Sequence, residues 1–437
     1  MPLYFIASGL SWLSTDYYLP AAFTLIALSF LRTWSNGKRN TRERDMHGRI
    51  VLVTGGFTPT GLTLLKELAE RGTQIIALAP SLSDPSVQEL ISLLQTTYNN
   101  NLVFAEQCDL ASPASIRAFC SRFLRTGVSE MSTEPPRLDA IIFGHEVTHI
   151  GAPGLDKAQE AHQRERGSLA TFLITTLLLP CLLRAPKDRD IRIINLVNPF
   201  YAASIPTFKD TTPPPLTAST WHKEGHRSLQ SLIYTRHLQR ILDALASGEG
   251  APAVPDPLLP EIPVVKKASN IITVAVTPGF CRAETVAPAM RASGTSGSFS
   301  TVGFILYLLM LPFLFFTTKN TTAAIQTVLY ALFLPHPSRI RPRSDEEKDK
   351  SETVEVIEAG RLYRDIDTVT LPGVGEVLVG REDVGRAVWE DFERRLETWI
   401  KDEEAEIQEG KEEGNGKGKD GDPVPASSDP KGKKKAA

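Results

Sequence analysis

The stretch Arg49 to Gly61 reads Arg-Ile-Val-Leu-Val-Thr-Gly-Gly-Phe-Thr-Pro-Thr-Gly, and an amphipathic run from Leu62 to Arg71 follows it. An apolar β-branched run that stops at glycines and reopens as a helix aims bare backbone N–H groups and the positive helix end at one point. That arrangement binds a pyrophosphate. Thr54, Gly55, Gly56, Thr60 and Gly61 are the candidate contacts. Turns of this outline also occur with nothing bound, so the turn marks a dinucleotide cleft only if the rest of the chain supplies a sheet around it. His145, His222 and His226 have no carboxylate or thiolate at ligand spacing, which argues against a metal centre. Cys108, Cys120, Cys181 and Cys281 are far apart and match no metal or disulfide spacing, so they read as reduced thiols.

The elements that must position the turn are present in the pattern. Gln74 to Ala79, Leu102 to Glu106, Leu138 to Phe143, Ile191 to Val197 and Asn270 to Val276 read as strands. Helical runs separate them at Val87 to Leu94, Ser115 to Phe123, Ala158 to Leu183 and His226 to Ala246. Strands alternating with helices predict an α/β chain with a Rossmann-like, doubly wound parallel sheet, whose ligands lie beyond the strands' carboxyl ends. The chain has 437 residues and a net charge of -3, with no sustained basic face outside the tail, which argues against a nucleic-acid partner.

The flanks differ in kind from this core. Met1 to Leu31 carries one charge, Asp16, and is followed by Arg32, Lys38, Arg39, Arg42 and Arg44. That order reverses a cleaved signal peptide and predicts an N-terminal transmembrane helix with the bulk of the chain cytosolic. The apolar run from Tyr17 to Leu31 is shorter than the roughly 20 residues of a span. The helix therefore borrows neighbours or lies on the surface. Val302 to Phe316 is a second apolar run, broken by Gly303 and Pro312, and reads as a segment that dips into the membrane and returns. Ala251 to Val265 is a proline-rich inserted loop and His336 to Ser351 a charged one, while Thr321 to Leu334 and Val384 to Ile400 are helices. Beyond Lys401 the composition predicts disorder. The end, Lys434-Lys435-Ala436-Ala437, has the form of a dilysine retrieval signal of endoplasmic-reticulum membrane proteins; a solvated basic tail is the plainer alternative. The expected division is an anchor and basic flank over 1–45, a Rossmann core over 46–290, an apolar segment with C-terminal helices over 291–400, and a tail over 401–437.

In this order the landmarks resemble the short-chain dehydrogenase/reductase family, and particularly its membrane-associated, retinol-dehydrogenase-like branch, from about Arg49 to Ile400. The resemblance is carried by Thr54-Gly55 with Gly61, Asp109-Leu110, the strand Arg192 to Val197, Pro278-Gly279, Gly360-Arg361-Leu362-Tyr363 and the Trp389 helix. It implies NAD or NADP as cofactor. It places Asp109 and Leu110 against the adenine, Gly144 behind the adenosine side, and Pro278 and Gly279 at the turn after strand six. It makes Tyr234 the proton donor, puts Asn198 where the family has a serine that polarises the substrate oxygen, and sets Leu238 at the lysine position. With one deletion His237 takes that position instead. A phenol near pKa 10 needs a nearby positive charge to work at neutral pH, and Arg236, His237 and Arg240 are the candidates. Tyr234 can equally be a packed helix tyrosine.

Several positions depart from the family's pattern. Pro59 replaces the middle glycine and has no N–H to give a phosphate. Phe143-Gly144-His145-Glu146 stands for N-N-A-G, Gly167 for the asparagine of the long helix, and Pro80-Ser81 for the residues that choose between NAD and NADP. The resemblance implies an NAD(P)-dependent oxidoreductase acting on a lipophilic alcohol or carbonyl (lipid, sterol or retinoid-like) at the endoplasmic-reticulum membrane, and by analogy a homodimer. The departures imply the alternative, a catalytically silent scaffold or binding protein on the same fold. A transporter would need more than two apolar segments.

Overall fold

The computed structural model describes residues 18–126, 136–147, 157–208, 211–215, 217–247, 268–290, 292, 300–337 and 355–416. The proline-rich loop over 251–265, the dilysine end, Asp16 and most of the charged loop after His336 lie outside the described residues.

The apolar runs form the strands β1 (Ile50–Thr54), β2 (Gln74–Ala79), β3 (Val103–Gln107), β4 (Ala140–Phe143), β5 (Ile191–Leu196) and β6 (Ile271–Thr277). Two short strands, β7 (Leu362–Arg364) and β8 (Asp367–Val369), complete one sheet in the order β3-β2-β1-β4-β5-β6-β7-β8. It is parallel through β7 and closes with an antiparallel β7–β8 hairpin. Strands covered by helices on both faces must be apolar throughout, and β4, β5 and β6 are buried along their whole length.

The helices are α1 (Tyr18–Asn36), α2 (Pro59–Glu70), α3 (Pro85–Tyr98), α4 (Pro113–Thr126), α5 (Lys157–Leu183), α6 (Thr220–Ser247), α7 (Thr301–Thr317), α8 (Thr321–Phe333) and α9 (Glu382–Gly416). One face of the sheet packs on α4, α5, α6 and α9, and the other on α2, α3 and α8. The doubly wound α/β architecture is thus as the alternating pattern predicts.

Three details correct the sequence-based expectations. Helix α6 begins at Thr220, six residues before the expected start. Helix α9 continues to Gly416, so the boundary at 400 falls inside it. Its extension is rich in Glu, a strong helix former. Glu403 also caps α4, accepting from the backbone N–H of Ala114 at 3.0 Å and from the Ser112 hydroxyl. Finally, the basic flank is part of the core's surface. Asn40 N–H donates to Gln326 at 3.0 Å, Arg42 pairs with Glu355 at 2.7 Å, and Arg44 pairs with buried Asp190 at 2.7 Å.

Helices α1 and α7 pack on each other. Arg32 of α1 donates to the Thr318 carbonyl at 2.9 Å and lies 4.4 Å from the centre of the Phe315 ring. Their outer faces are apolar and exposed, among them Phe23, Ile26 and Phe30 on α1 and Val302, Ile305 and Leu309 on α7. Among the described residues, the stretch long and apolar enough by itself to cross a membrane is Arg164–Leu183, and that is a mostly buried core segment of α5.

Candidate cofactor cleft and active site

Strand β1 ends at Thr54, and the turn after it is built on close approaches. Gly55 has φ +67°, and a Cβ there would lie 2.8 Å from the His145 nitrogen. A Cβ on Gly61 would lie 2.1 Å from the Gly55 oxygen, and one on Gly144 2.8 Å from the Thr54 oxygen. Gly56 packs on Leu65 and Ala77. The turn, the head of α2 and the end of β4 therefore meet at glycines, as a dinucleotide fold requires.

The donors at the head of α2 are all engaged. Pro59 has no N–H. Gly61 N–H donates to the Thr58 hydroxyl at 3.1 Å, and Leu62 N–H to the Thr58 carbonyl at 2.7 Å. Thr60 N–H donates to the carboxylate of Glu284 at 2.7 Å. Glu284 is buried, on the π-helical turn Arg282–Val286 that follows β6. Burial pushes its carboxyl up, against the hydrogen bonds from Thr60 and Thr58 that pull it down.

At the end of β4, His145 Nδ1 lies 2.7 Å from the Thr54 hydroxyl and Nε2 lies 2.9 Å from the Gly167 carbonyl. A carbonyl only accepts, so Nε2 carries the proton. Burial lowers the imidazole's pKa, so the ring is neutral and Nδ1 accepts from Thr54. His145 thus fills the space beside Gly167, where the family's asparagine is missing.

Helix α6 enters at the carboxyl edge of the sheet. Gly225 presses on the loop after β5, where its Cβ would lie 2.5 Å from the Phe200 oxygen and from Ser204 Oγ. One face of α6 then carries Glu224, Ser228, Ser231 and Thr235 along β4 and β5. Ser231 donates to Glu146 at 2.7 Å, and Asn195 of β5 donates to Thr235 at 2.7 Å. Glu224 is buried between Arg164, which donates to both its oxygens, and Arg227 at 3.1 Å. Arg227 also donates to the Glu146 carbonyl, and Thr171 donates to the Glu146 carboxylate at 2.6 Å. Burial opposes the Glu224 charge, but the two arginines outweigh it and hold its carboxyl at about 2.

This geometry corrects the catalytic pair read from the sequence. Tyr234 is 2% exposed and packs among Phe172, Trp389 and Phe392, with ring centres 5.7, 5.8 and 5.7 Å away, between α5, α6 and α9. Burial pushes its hydroxyl well above the usual phenol range, the reverse of what a proton donor needs. His237 lies against Gly385 and Trp389 of α9, where burial and then Arg240 keep it neutral. Tyr234 is fourteen residues into α6, about 21 Å along the axis at 1.5 Å per residue. Its ring is enclosed by α5 and α9, away from the Phe200, Trp221 and Phe280 rings at the mouth. At the carboxyl edge the two residues spaced by four are Glu224 and Ser228. The earlier helix start was the signal that would have found them.

The other candidates do reach the edge. Asn198 lies two residues beyond β5, and both of its buried side-chain amide atoms lack a hydrogen-bond partner among the described residues. So do the buried hydroxyls of Ser228 and of Thr277, the last residue of β6. Phe200, Trp221 and Phe280 gather at the same mouth, with ring centres 4.5 and 5.2 Å apart, and the last two are about half exposed. After β6, Pro278 leads to Gly279 at φ +84°, against the Lys319 side chain. Asp109 accepts from Ala111 N–H at 2.9 Å, a local turn that opens α4 beside half-buried Leu110.

A dinucleotide fits these residues unevenly. Orphaned Asn198, Ser228 and Thr277 are suited to the carboxamide, ribose and substrate oxygen at one end. At the other end, the Thr60 N–H at the helix head is taken by Glu284.

No protein-family model matches the chain. It is 26% identical over 325 residues to "Uncharacterized oxidoreductase pbr1" of Schizosaccharomyces pombe, covering 73% of this chain and 78% of that one. An uncharacterized oxidoreductase of Saccharomyces cerevisiae is also 26% identical, over 71% of this chain and 74% of its own length. Mouse retinol dehydrogenase 14 is 27% identical over 48% of this chain and 63% of its own length. Among solved structures, a short-chain dehydrogenase from Sphingobium yanoikuyae in complex with NADPH aligns with a TM-score of 0.41 at 16% identity, covering 65% of this chain and 84% of that one. With relatives of these names, a doubly wound sheet and a glycine turn at the end of its first strand, the chain is similar to oxidoreductases of the short-chain dehydrogenase/reductase type, retinol dehydrogenases among them.

Proposed function

We propose that the protein is an NAD(P)-dependent oxidoreductase of the short-chain dehydrogenase type, acting on a lipophilic alcohol or carbonyl at the surface of the endoplasmic-reticulum membrane. The observation that carries this reading is Asn198, a buried amide with no partner among the described residues, near an aromatic mouth of Phe200, Trp221 and Phe280. The paired, outwardly apolar helices α1 and α7 support the membrane surface.

When bound, the dinucleotide supplies the hydride. Asn198 Nδ2 donates to the substrate oxygen and stabilises the charge that develops there, and the proton that completes the alcohol is taken up from solvent. The Phe200, Trp221 and Phe280 rings exclude water from the reacting carbon and select apolar substrates. Glu224 is ionised at neutral pH and saturated by Arg164 and Arg227, so it fixes the head of α6 and does not donate a proton.

The Glu224 cluster also favours a second reading, because it stands where the family's tyrosine and lysine would be. On that reading the protein is a scaffold that keeps the fold and has lost the reaction. Titrating the detergent-purified protein with NADH and NADPH, following nicotinamide fluorescence, and assaying lipophilic aldehydes and alcohols separates the two. The oxidoreductase reading requires binding of one nucleotide and turnover that Asn198→Ala lowers by about 10²–10³-fold with binding intact. Absence of both selects the scaffold.

A further inference from the structure

The head of α2 already holds a carboxyl group, and that group is the chain's own. Thr60 N–H is the second donor of the helix, the one that the missing Pro59 N–H and the capped Gly61 leave for a ligand. It points at Glu284 Oε1, 2.7 Å away, and Thr58 adds a hydrogen bond to the same carboxylate. A single N–H cannot serve a carboxylate and a phosphate together, and two anions at that distance repel in a site with little water. Glu284 is held in place from the other side as well. The backbone N–H of Arg282 donates to the Lys319 carbonyl at 3.1 Å, and Lys319 N–H donates to the Phe280 carbonyl at 3.0 Å. The Arg282 guanidinium lies 5.3 Å from the centre of the Phe315 ring on α7, and Met290 packs its carbonyl against Gly303 at the start of α7. The segment that carries Glu284 therefore bridges the phosphate turn and the exposed apolar helix. It does so through a π-helical turn, an uncommon conformation that concentrates at functional sites.

We propose that Glu284 is a built-in competitor of the dinucleotide: its carboxylate closes the Thr60 N–H in the resting protein, and a pyrophosphate seats only when the Arg282–Met290 segment draws the carboxylate away. The proposal rests on reading the cleft as a dinucleotide site, and the test keeps the two apart. Wild type, Glu284→Ala and Glu284→Gln are purified full length in detergent and titrated calorimetrically with inorganic pyrophosphate, NADH and NADPH. Thermal melts establish that each variant is folded. Glu284→Gln keeps the size and an acceptor oxygen, and carries the test if Glu284→Ala does not fold. Removal of the charge is expected to tighten pyrophosphate or one dinucleotide at least tenfold, more for Ala than for Gln. Unchanged or weaker binding of all three ligands by the folded variants, or binding of none of them by any form, overturns the competitor. Tighter pyrophosphate binding with no NADH or NADPH binding in any form keeps the competitor and removes the dinucleotide reading.

Discussion

Two buried ionic clusters sit at opposite ends of the sheet, and they are made of the same groups. At the amino end of β5, Asp190 lies between Arg192 and Arg44. Arg192 is 1% exposed and donates to the Ala331 and Leu334 carbonyls at the end of α8, while Arg44 donates to the Leu332 carbonyl at 3.0 Å. The arginines satisfy the carbonyls a helix leaves open at its C-terminus. At the carboxyl end, Arg164, Glu224, Arg227 and Glu146 form the second cluster, but Arg227 Nε, Asn198 and Ser228 have polar atoms without partners among the described residues. Both ends bury charge. The amino end closes its donors on carbonyls and reads as structure, whereas the open end leaves donors to meet something else.

The largest effect that would break this contrast is at the closed end. Arg192→Ala leaves Asp190 and two carbonyls at the end of α8 short of a partner and is expected to cost about 3–5 kcal/mol in denaturant unfolding. A loss below 1 kcal/mol would mean the amino-end cluster is not structural. Acid should then reach both clusters. Asp190 and Glu224 are each held at about 2 in the fold, burial opposing and the arginines prevailing. An unfolded carboxylate binds its proton near pH 4, so the unfolded state takes up protons first as pH falls. Each group's stabilisation, about 3 kcal/mol, is full above pH 5 and is lost between there and pH 2. Unfolding followed over that window should show the decline, and Glu224→Gln should flatten its share of it. The smallest expected effect is at Tyr234. Tyr234→Phe should leave turnover unchanged and alter stability by no more than about 1 kcal/mol. A large loss of turnover would return the tyrosine to the chemistry and undo the assignment of the site to the edge at Asn198.

What was legible in the sequence follows the range of the forces. The six long strands and the glycine turn are set by local β-branched runs and by close approaches that glycines alone permit, and they appear where the pattern puts them. Strands β7 and β8 are three residues each and exist through pairing, β7 with β6 and β8 with β7, so no local pattern announces them. The α9 extension is held by Glu403 at the head of α4, a contact 289 residues apart in the chain. The catalytic register failed because a tyrosine at a plausible distance from β5 outweighed the helix start at Thr220. In an antiparallel crossover helix, the first turns alone reach the edge. Glu284 was invisible for a related reason, since its partner Thr60 is 224 positions away.

The basic flank has a mechanical consequence. Through Asn40, Arg42 and Arg44 the chain leaving α1 is fastened to α8, to Glu355 and to Asp190 at the base of β5. α1 is therefore joined to the catalytic body by a bracket and not by a tether. A bilayer that grips α1 would hold the sheet at one height and one tilt, and a substrate arriving through the lipid would meet the aromatic mouth from a constant direction.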